Sequence, residues 1–156
     1  MKGPPMYKTI LVAVDGSPQT ASVLAEAADL ARTQSAEVHV ICVNDAARYW
    51  ELGASGPAPA VFDVLDQSQF DCLDKAQRFL RQQEIACQSH APSGMPSEEI
   101  SRVARQIGAS LIVIGHRHLS WLSRLMVESV GRNLLADAPC SVLVVIETGE
   151  KESHLR

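Results

Sequence analysis

Three short apolar runs, none of them interrupted by alternating polar positions, most constrain how this chain can fold. They are residues 9–15 (TILVAVD), 111–114 (LIVI) and 142–146 (VLVVI). A strand with one face in water alternates apolar and polar side chains, whereas a strand covered on both faces reads as a continuous apolar run. The pattern therefore predicts a parallel sheet with helices packed on both of its faces.

Helical and strand patterns alternate along the whole chain. In order, we predict strand 9–15, helix 18–33, strand 37–43, helix 61–83, strand 85–90, helix 96–107, strand 110–115, one or two helices over 121–136, and strand 142–146. The weaker alternation in residues 85–90 is typical of a sheet edge. This order predicts an α/β fold with a doubly wound, five-stranded parallel sheet and right-handed crossovers. Periodicity alone does not give the order of the strands within that sheet.

Local signals predict where two of the helices begin and end. Ser17 is a suitable N-cap, and Pro18 suits the first helical position, where its missing N–H costs nothing. Pro96 is predicted to take the same position in a later helix, and the two glutamates that follow favour the positive end of the helix dipole. Gly108 is well placed to end that helix.

Composition fits one soluble domain. The 156 residues, 46% of them apolar, predict a single domain over 1–156, with an ordered core over about 7–147 and a mobile loop over about 45–60. A net charge of −4 with scattered basic residues predicts neither a nucleic-acid partner nor an anionic membrane partner. No apolar segment approaches the ~20 residues of a membrane span, and no N-terminal run resembles a signal peptide. We therefore expect a cytoplasmic location.

The four cysteines are widely spaced and form no CxxC pair. They are Cys42, Cys72, Cys87 and Cys140. This spacing predicts neither a zinc site nor a thioredoxin-type pair. Buried, reduced thiols are expected, with an oxidation-sensitive thiol as the alternative.

Four segments together resemble the universal stress protein family. They are residues 12–18 (VAVDGSP), 94–100 (GMPSEEI), 111–115 (LIVIG) and 138–145 (APCSVLVV). The resemblance implies strand order 3-2-1-4-5 in a Rossmann-like fold of the nucleotide-binding α-hydrolase type. It also implies a homodimer joined along the fifth strand through Val142, Leu143, Val144 and Val145. An exposed apolar edge strand would otherwise risk uncontrolled pairing, so its burial between two copies is physically sensible.

Relatives that bind ATP carry Gly-x2-Gly-x9-Gly and then Ser or Thr after the fourth strand. In this register the chain has Gly115, His118, Glu128 and Ser129, with Val130 next, so two of the three glycines are replaced. Glycine lets backbone N–H groups approach phosphate oxygens closely, and a helix start adds partial positive charge. The histidine adds bulk, and the carboxylate competes for the same positive charge. The resemblance therefore implies a degenerate phosphate site.

The same resemblance places Asp15 near the ribose or metal and the backbone of Val43 near adenine. Each candidate also has an ordinary structural explanation. Asp15 could close a turn or cap the first helix, Gly115 could be needed only for a tight strand exit, and Ser129 could hydrogen-bond to backbone. Val43 would belong to the core whatever the protein binds.

The same loop also carries residue types that are used in zinc binding and in nucleophilic catalysis. His116, His118 and Glu128 could supply nitrogen and oxygen ligands to zinc, but a solvated loop is the simpler interpretation. Ser120, Ser123 and Cys140 lie near these histidines in sequence, yet there is no nucleophile elbow and no third orienting group. We therefore predict no metal and no catalytic residues.

The leading hypothesis is a cytoplasmic, homodimeric stress-response protein with weak or no ATP binding and no enzymatic activity. Such a protein would act through unidentified protein partners or through its abundance. The alternative is an adenine-nucleotide binding module that takes ATP with Mg²⁺, or AMP, and possesses slow phosphotransfer activity. A flavin or redox carrier on a similar sheet is a third hypothesis, and it predicts a yellow protein.

Overall fold

The computed structural model describes residues 3–45, 59–116 and 134–146. These residues form five strands that alternate with helices. In order they are β1 (Thr9–Ala13), α1 (Thr20–Gln34), β2 (Glu37–Ile41), α2 (Pro59–Gln82), β3 (Cys87–His90), α3 (Pro96–Ile107), β4 (Leu111–Gly115), α4 (Leu134–Asp137) and β5 (Ser141–Val145). The predicted doubly wound α/β architecture is confirmed, although most of the predicted strands were one or two residues too long.

All five strands are parallel, in the order β3-β2-β1-β4-β5. This is the order that the family resemblance implied. The chain runs from β1 outward through β2 to β3 and then returns to place β4 on the other side of β1. The winding direction therefore reverses between β1 and β4, the place where ligands bind in open sheets of this kind.

The sheet separates two apolar cores. The core beneath α1 and α2 receives Ile10 and Val12 from β1, whereas the core beneath α3 receives Leu11 and Ala13. Each of these four residues is at most 2% exposed. The absence of polar alternation in this strand thus has the predicted cause, since both of its faces are covered.

The start of α1 differs from its prediction. Ser17 was expected to cap this helix with Pro18 as its first residue, but the helix begins at Thr20 after a turn. Gln19 is the N-cap residue and makes no side-chain cap hydrogen bond. The carboxylate of Asp15 instead accepts a hydrogen bond from the Ser17 N–H at 2.9 Å. This bond holds the loop in a turn, and the helix begins two residues later than predicted.

Both boundary predictions for α3 are confirmed. Pro96 lies in its first turn, as do Glu98 and Glu99. Gly108 ends the helix in a left-handed conformation with φ of +66°, and its N–H bonds back to the last helical carbonyls. Glycine adopts that conformation without the steric cost that a Cβ would add.

The two edge strands of the sheet differ in character. β3 has the polar sequence CQSH, and its side chains are half-buried or exposed. β5 has the apolar sequence SVLVV, yet Val142, Leu143 and Val144 are only half-buried, and Ile146 beyond it is 65% exposed. β3 confirms the prediction of an edge strand, and β5 leaves apolar surface at the opposite edge.

Two predicted segments fall wholly or largely outside the described residues. The loop predicted over 45–60 is described only at Asp45 and from Pro59, where α2 begins. The helical segment predicted over 121–136 is described only in its last part, as α4. Within the described part of the chain, no helix combines the length and apolarity that a membrane span requires.

Candidate functional site

The loops that leave β1 and β4 meet at the reversal point of the sheet. β1 and β4 are paired neighbours, and the loop of Asp15, Gly16 and Ser17 leaves β1 on the side where Gly115 ends β4. Ala13, Asp15, Gln19 and Gly115 line one small cavity. The structure thus brings together two of the candidate residues, Asp15 and Gly115.

Asp15 is exposed, but its own loop organises its carboxylate. Oδ1 accepts hydrogen bonds from the Ser17 N–H at 2.9 Å and from the Thr20 hydroxyl at 3.4 Å. Gly16, between Asp15 and Ser17, has a φ of +74°, which a residue with a side chain adopts only with strain. The turn-closing role considered for Asp15 is therefore present in the structure.

Gly115 is a glycine for a reason that requires no ligand. A Cβ at this position would lie 2.7 Å from Gln19 Oε1, 3.0 Å from Gln19 Cδ and 3.2 Å from Val23 Cγ2. Gln19 is only 4% exposed, and its Nε2 donates to the Val145 carbonyl at 3.0 Å. Gly115 therefore makes room for a buried side chain that joins the start of α1 to the end of β5.

The cavity between these loops is too small for a nucleotide. Its volume is about 10 Å³, close to the lower limit for a single water molecule. Gln19, Val23 and Thr20 fill the space beneath Asp15 and Gly115. Within the described residues, the space beneath Asp15 and Gly115 therefore does not admit a nucleotide.

Val43 lies just beyond β2 and is half-buried against the core beneath α3. The backbone is held on both sides of it. Gln69 Nε2 donates to the Cys42 carbonyl at 2.7 Å, and the Asn44 N–H donates to the Pro92 carbonyl at 2.9 Å. The loop proposed to meet adenine is therefore fixed in place by α2 and by the segment after β3.

Four candidate residues lie outside the described residues. They are His118, Ser129 and Val130, together with Glu128. His116 is described and exposed. Among residues 3–45, 59–116 and 134–146, no cluster of three or more His, Cys, Asp or Glu side chains is arranged to hold a metal ion. The zinc hypothesis falls on the same undescribed loop.

A histidine pair near the polar edge was not predicted. His39 Nδ1 lies 2.9 Å from His90 Nε2, and His39 Nε2 lies 3.1 Å from Glu37 Oε1. Burial lowers the pKa of His90, and the positive charges of His39 and Arg102 lower it further. The strand register that aligns β2 with β3 creates this contact, and no sequence motif marks it.

Two further contacts were not predicted from the sequence: the one between Gln19 and Val145, and the one that brings the thiols of Cys42 and Cys72 together. Gln19 contacts Val145 across 126 positions of sequence, and a distance of that size leaves no periodic signal. Cys42 and Cys72 are both 6% exposed and lie in the same core. Only the packing of α2 on β2 brings the two sulfur atoms together.

Comparisons with known proteins agree with this geometry. A sequence profile of the universal stress protein family matches residues 6–145. A universal stress protein of Methanocaldococcus jannaschii is 29% identical over 143 residues, which cover 92% of this chain and 84% of that protein.

Two solved structures have the same fold. The crystal structure of a universal stress protein family member from Burkholderia pseudomallei has a TM-score of 0.70 and 31% identity, covering 90% of this chain and 96% of that one. The universal stress protein of Archaeoglobus fulgidus in complex with dAMP has a TM-score of 0.63 and 23% identity, covering 89% and 98%.

Proposed function

The chain belongs to the universal stress protein family, and from this premise we propose that it is a cytoplasmic, homodimeric stress-response protein that binds adenine nucleotides weakly or not at all. It acts through protein partners or through its abundance rather than by catalysis. The observation that carries the proposal is the contact between Gly115 and Gln19. The first glycine of the family's phosphate motif is retained here, and its packing against a buried side chain accounts for it without a phosphate.

The sequence beyond β4 supports the same conclusion. In the family's ATP-binding register, His118 and Glu128 replace two glycines. A carboxylate at the phosphate position repels a polyphosphate and competes for the N–H groups that would bind it. Asp15, at the other end of the site, already accepts hydrogen bonds from its own loop.

Calorimetric titration with ATP and Mg²⁺ tests the nucleotide part of the proposal. We expect no saturable binding in the micromolar range for the native protein. Glu128→Gly combined with His118→Gly should restore binding, because both obstructing side chains are removed. The charge alone is tested with Glu128→Gln. Its control is Glu26→Gln, which makes the same change in net charge at an exposed position of α1. Micromolar binding by the native protein would refute the proposal.

The dimer part rests on the difference between the two sheet edges. The half-buried apolar side chains of β5 are suited to cover by a second copy, whereas the polar side chains of β3 are suited to water. Val142→Lys should convert a dimer into a monomer in light scattering. Ser89→Lys, the same charge on the opposite edge strand, should leave the mass unchanged. Equal effects of the two changes would contradict pairing along β5.

The alternative function is an adenine-nucleotide binding module that takes AMP or ATP. Asp15 is exposed at the reversal point of the sheet, and one solved structure of the same fold holds dAMP. Mass spectrometry of small molecules released from the natively purified protein separates the two functions. Stoichiometric nucleotide favours the binding module, and its absence favours the stress-response protein without a nucleotide.

A further inference from the structure

Two buried cysteines from different elements meet in the core beneath α1 and α2. Cys42 follows β2 and Cys72 lies in α2, and the two thiols are close enough for each to shift the pKa of the other. The elements that carry them are also tied together nearby. Gln69, one helical turn before Cys72, donates to the carbonyl of Cys42 itself at 2.7 Å. This hydrogen bond therefore holds α2 against the end of β2, within one helical turn of Cys72.

Both cysteines are 6% exposed, and Cys72 is the one of the two that lines a described surface groove. The groove has a volume of about 230 Å³ and is also lined by Gly16, Ser17, Lys75 and Phe79. Cys72 Sγ lies 3.8 Å from the position that a Cβ on Gly16 would occupy, so the sulfur is close to the loop after β1. Cys42 is not among the residues that line the groove. A small oxidant entering here would meet Cys72 first.

The surroundings of Cys72 favour its thiolate form. The hydrogen bond from Cys42 lowers the pKa of Cys72, the Gly16 backbone and the Lys75 ammonium lower it further, and burial and Asp15 oppose them. The same hydrogen bond raises the pKa of Cys42, which keeps its proton. Burial raises the pKa of Cys87 and of Cys140. Cys72 is thus the cysteine best prepared to act as a nucleophile.

We propose that Cys72 and Cys42 form a peroxide-reactive dithiol, in which Cys72 is oxidised first and Cys42 resolves the product as a disulfide. The Cys72 thiolate attacks one peroxide oxygen. An S–O bond forms, the O–O bond breaks, and the departing oxygen takes up a proton to leave as water. The Cys42 sulfur then attacks Sγ of Cys72, the S–S bond forms, and the sulfenic oxygen leaves as a second water with the Cys42 proton. Two thiols lose two electrons, and one peroxide gains them.

The proposed reaction requires neither a bound nucleotide nor a second copy of the chain. Its consequence is a covalent link between the end of β2 and α2, beside the loop of Asp15 and Gly16. A reductant of the thiol class would restore the two thiols. The oxidised and reduced forms would then differ in the rigidity of the segment that leads into Val43 and Asn44.

Peptide mapping after brief treatment of the folded, full-length protein with hydrogen peroxide tests the proposal. We expect a loss of the mass of two hydrogen atoms, reversed by dithiothreitol, and a cross-linked peptide pair that contains Cys42 and Cys72. Cys42→Ser should accumulate a dimedone-reactive sulfenic acid at Cys72. Cys72→Ser should lose the disulfide and leave Cys42 unlabelled. A variant with Cys87→Ser and Cys140→Ser is the matched control and should behave like the native protein.

Three results would overturn the proposal. They are earlier oxidation of Cys87 or Cys140 in the native protein, dimedone labelling of Cys42 rather than Cys72, and a disulfide that forms equally fast in guanidinium. The last result would show that the fold contributes nothing to the pairing. The mapping of the native protein needs no variant, so the test stands even if Cys42→Ser or Cys72→Ser fails to fold.

Discussion

Replacing Gly115 with alanine separates a packing role from a ligand-binding role. Gly115 has no left-handed backbone strain, so the ordinary expectation for Gly→Ala in a strand is a gain of about 0.5–1 kcal/mol. The new Cβ would lie 2.7 Å from Gln19 Oε1, a separation that the buried glutamine can relieve only by moving. Movement would break its 3.0 Å hydrogen bond to the Val145 carbonyl.

The expected magnitude follows from these contacts. Leaving a buried amide or carbonyl unpaired costs about 1–3 kcal/mol, and overpacking adds about 1–3 kcal/mol. After the ordinary gain is subtracted, Gly115→Ala should lower the free energy of unfolding by roughly 3 kcal/mol. In a chain of this size that loss lowers the melting temperature by roughly 6–12 °C. Urea unfolding without any nucleotide measures the change directly.

A double-mutant cycle identifies the cause. In a Gln19→Ala background the obstructing amide is absent, so Gly115→Ala should cost less than about 1 kcal/mol. In a Gln67→Ala background, where an exposed glutamine of α2 is truncated instead, the full cost should remain. A cost that is the same in both backgrounds, or a native-background cost below about 0.5 kcal/mol, would refute the packing explanation for Gly115.

Three further measurements test other contacts. Burial lowers the pKa of His90 below its ordinary value of 6.5, so the folded state binds a proton less readily than the unfolded chain. The free energy of unfolding should therefore be fully retained above 6.5 and fall as the pH drops below it, and His90→Gln should reduce that slope in urea titrations. Gln69→Ala removes two hydrogen bonds to backbone carbonyls and should cost about 2 kcal/mol, whereas the exposed Gln67→Ala on the same helix should cost less than about 0.5 kcal/mol. In Gly108→Ala the new Cβ meets no atom within 4 Å, but the residue must adopt a φ of +66°, so the free energy of unfolding should fall by about 1–2 kcal/mol from conformation alone. Gly3→Ala is the control and should leave the free energy of unfolding unchanged. Equal losses in the two variants would contradict a conformational cause.

The type and order of the secondary-structure elements along the chain could be predicted from local sequence patterns. The apolar runs of β1 and β4 predicted strands covered on both faces, whereas the apolar run of β5 is only half-buried at the edge of the sheet. Pro96 and Gly108 predicted the limits of α3, because each signal acts within a few residues. The strand order required the family resemblance, since periodicity carries no information on which strands are neighbours. Ser17 was the failure among the boundary signals: α1 begins only at Thr20, and Ser17 lies in the preceding turn, where its N–H donates to the Asp15 carboxylate.

The site was less predictable because its contacts are long-range. Nothing near Gln19 in sequence indicates that it reaches Val145, and the spacing of Cys42 and Cys72 resembles no known pair. The proximity of Asp15 and Gly115 was anticipated only on the condition that β1 and β4 are neighbours, which the sheet order fulfils. The roles assigned to His118, Ser129 and Val130 stay predictions.

The unequal edges of the sheet would limit the proposed assembly to two copies of the chain. Isologous contact along β5 uses the same edge on both copies, so a single pairing event consumes the apolar edge of each molecule. The outer strands of the pair would then be two copies of β3, whose CQSH sequence offers water-compatible side chains to any further molecule. Growth into a continuous ribbon would therefore stop at two copies. In the proposed dimer, the apolar strand of each copy would thus be covered, and only the polar edges would face solvent.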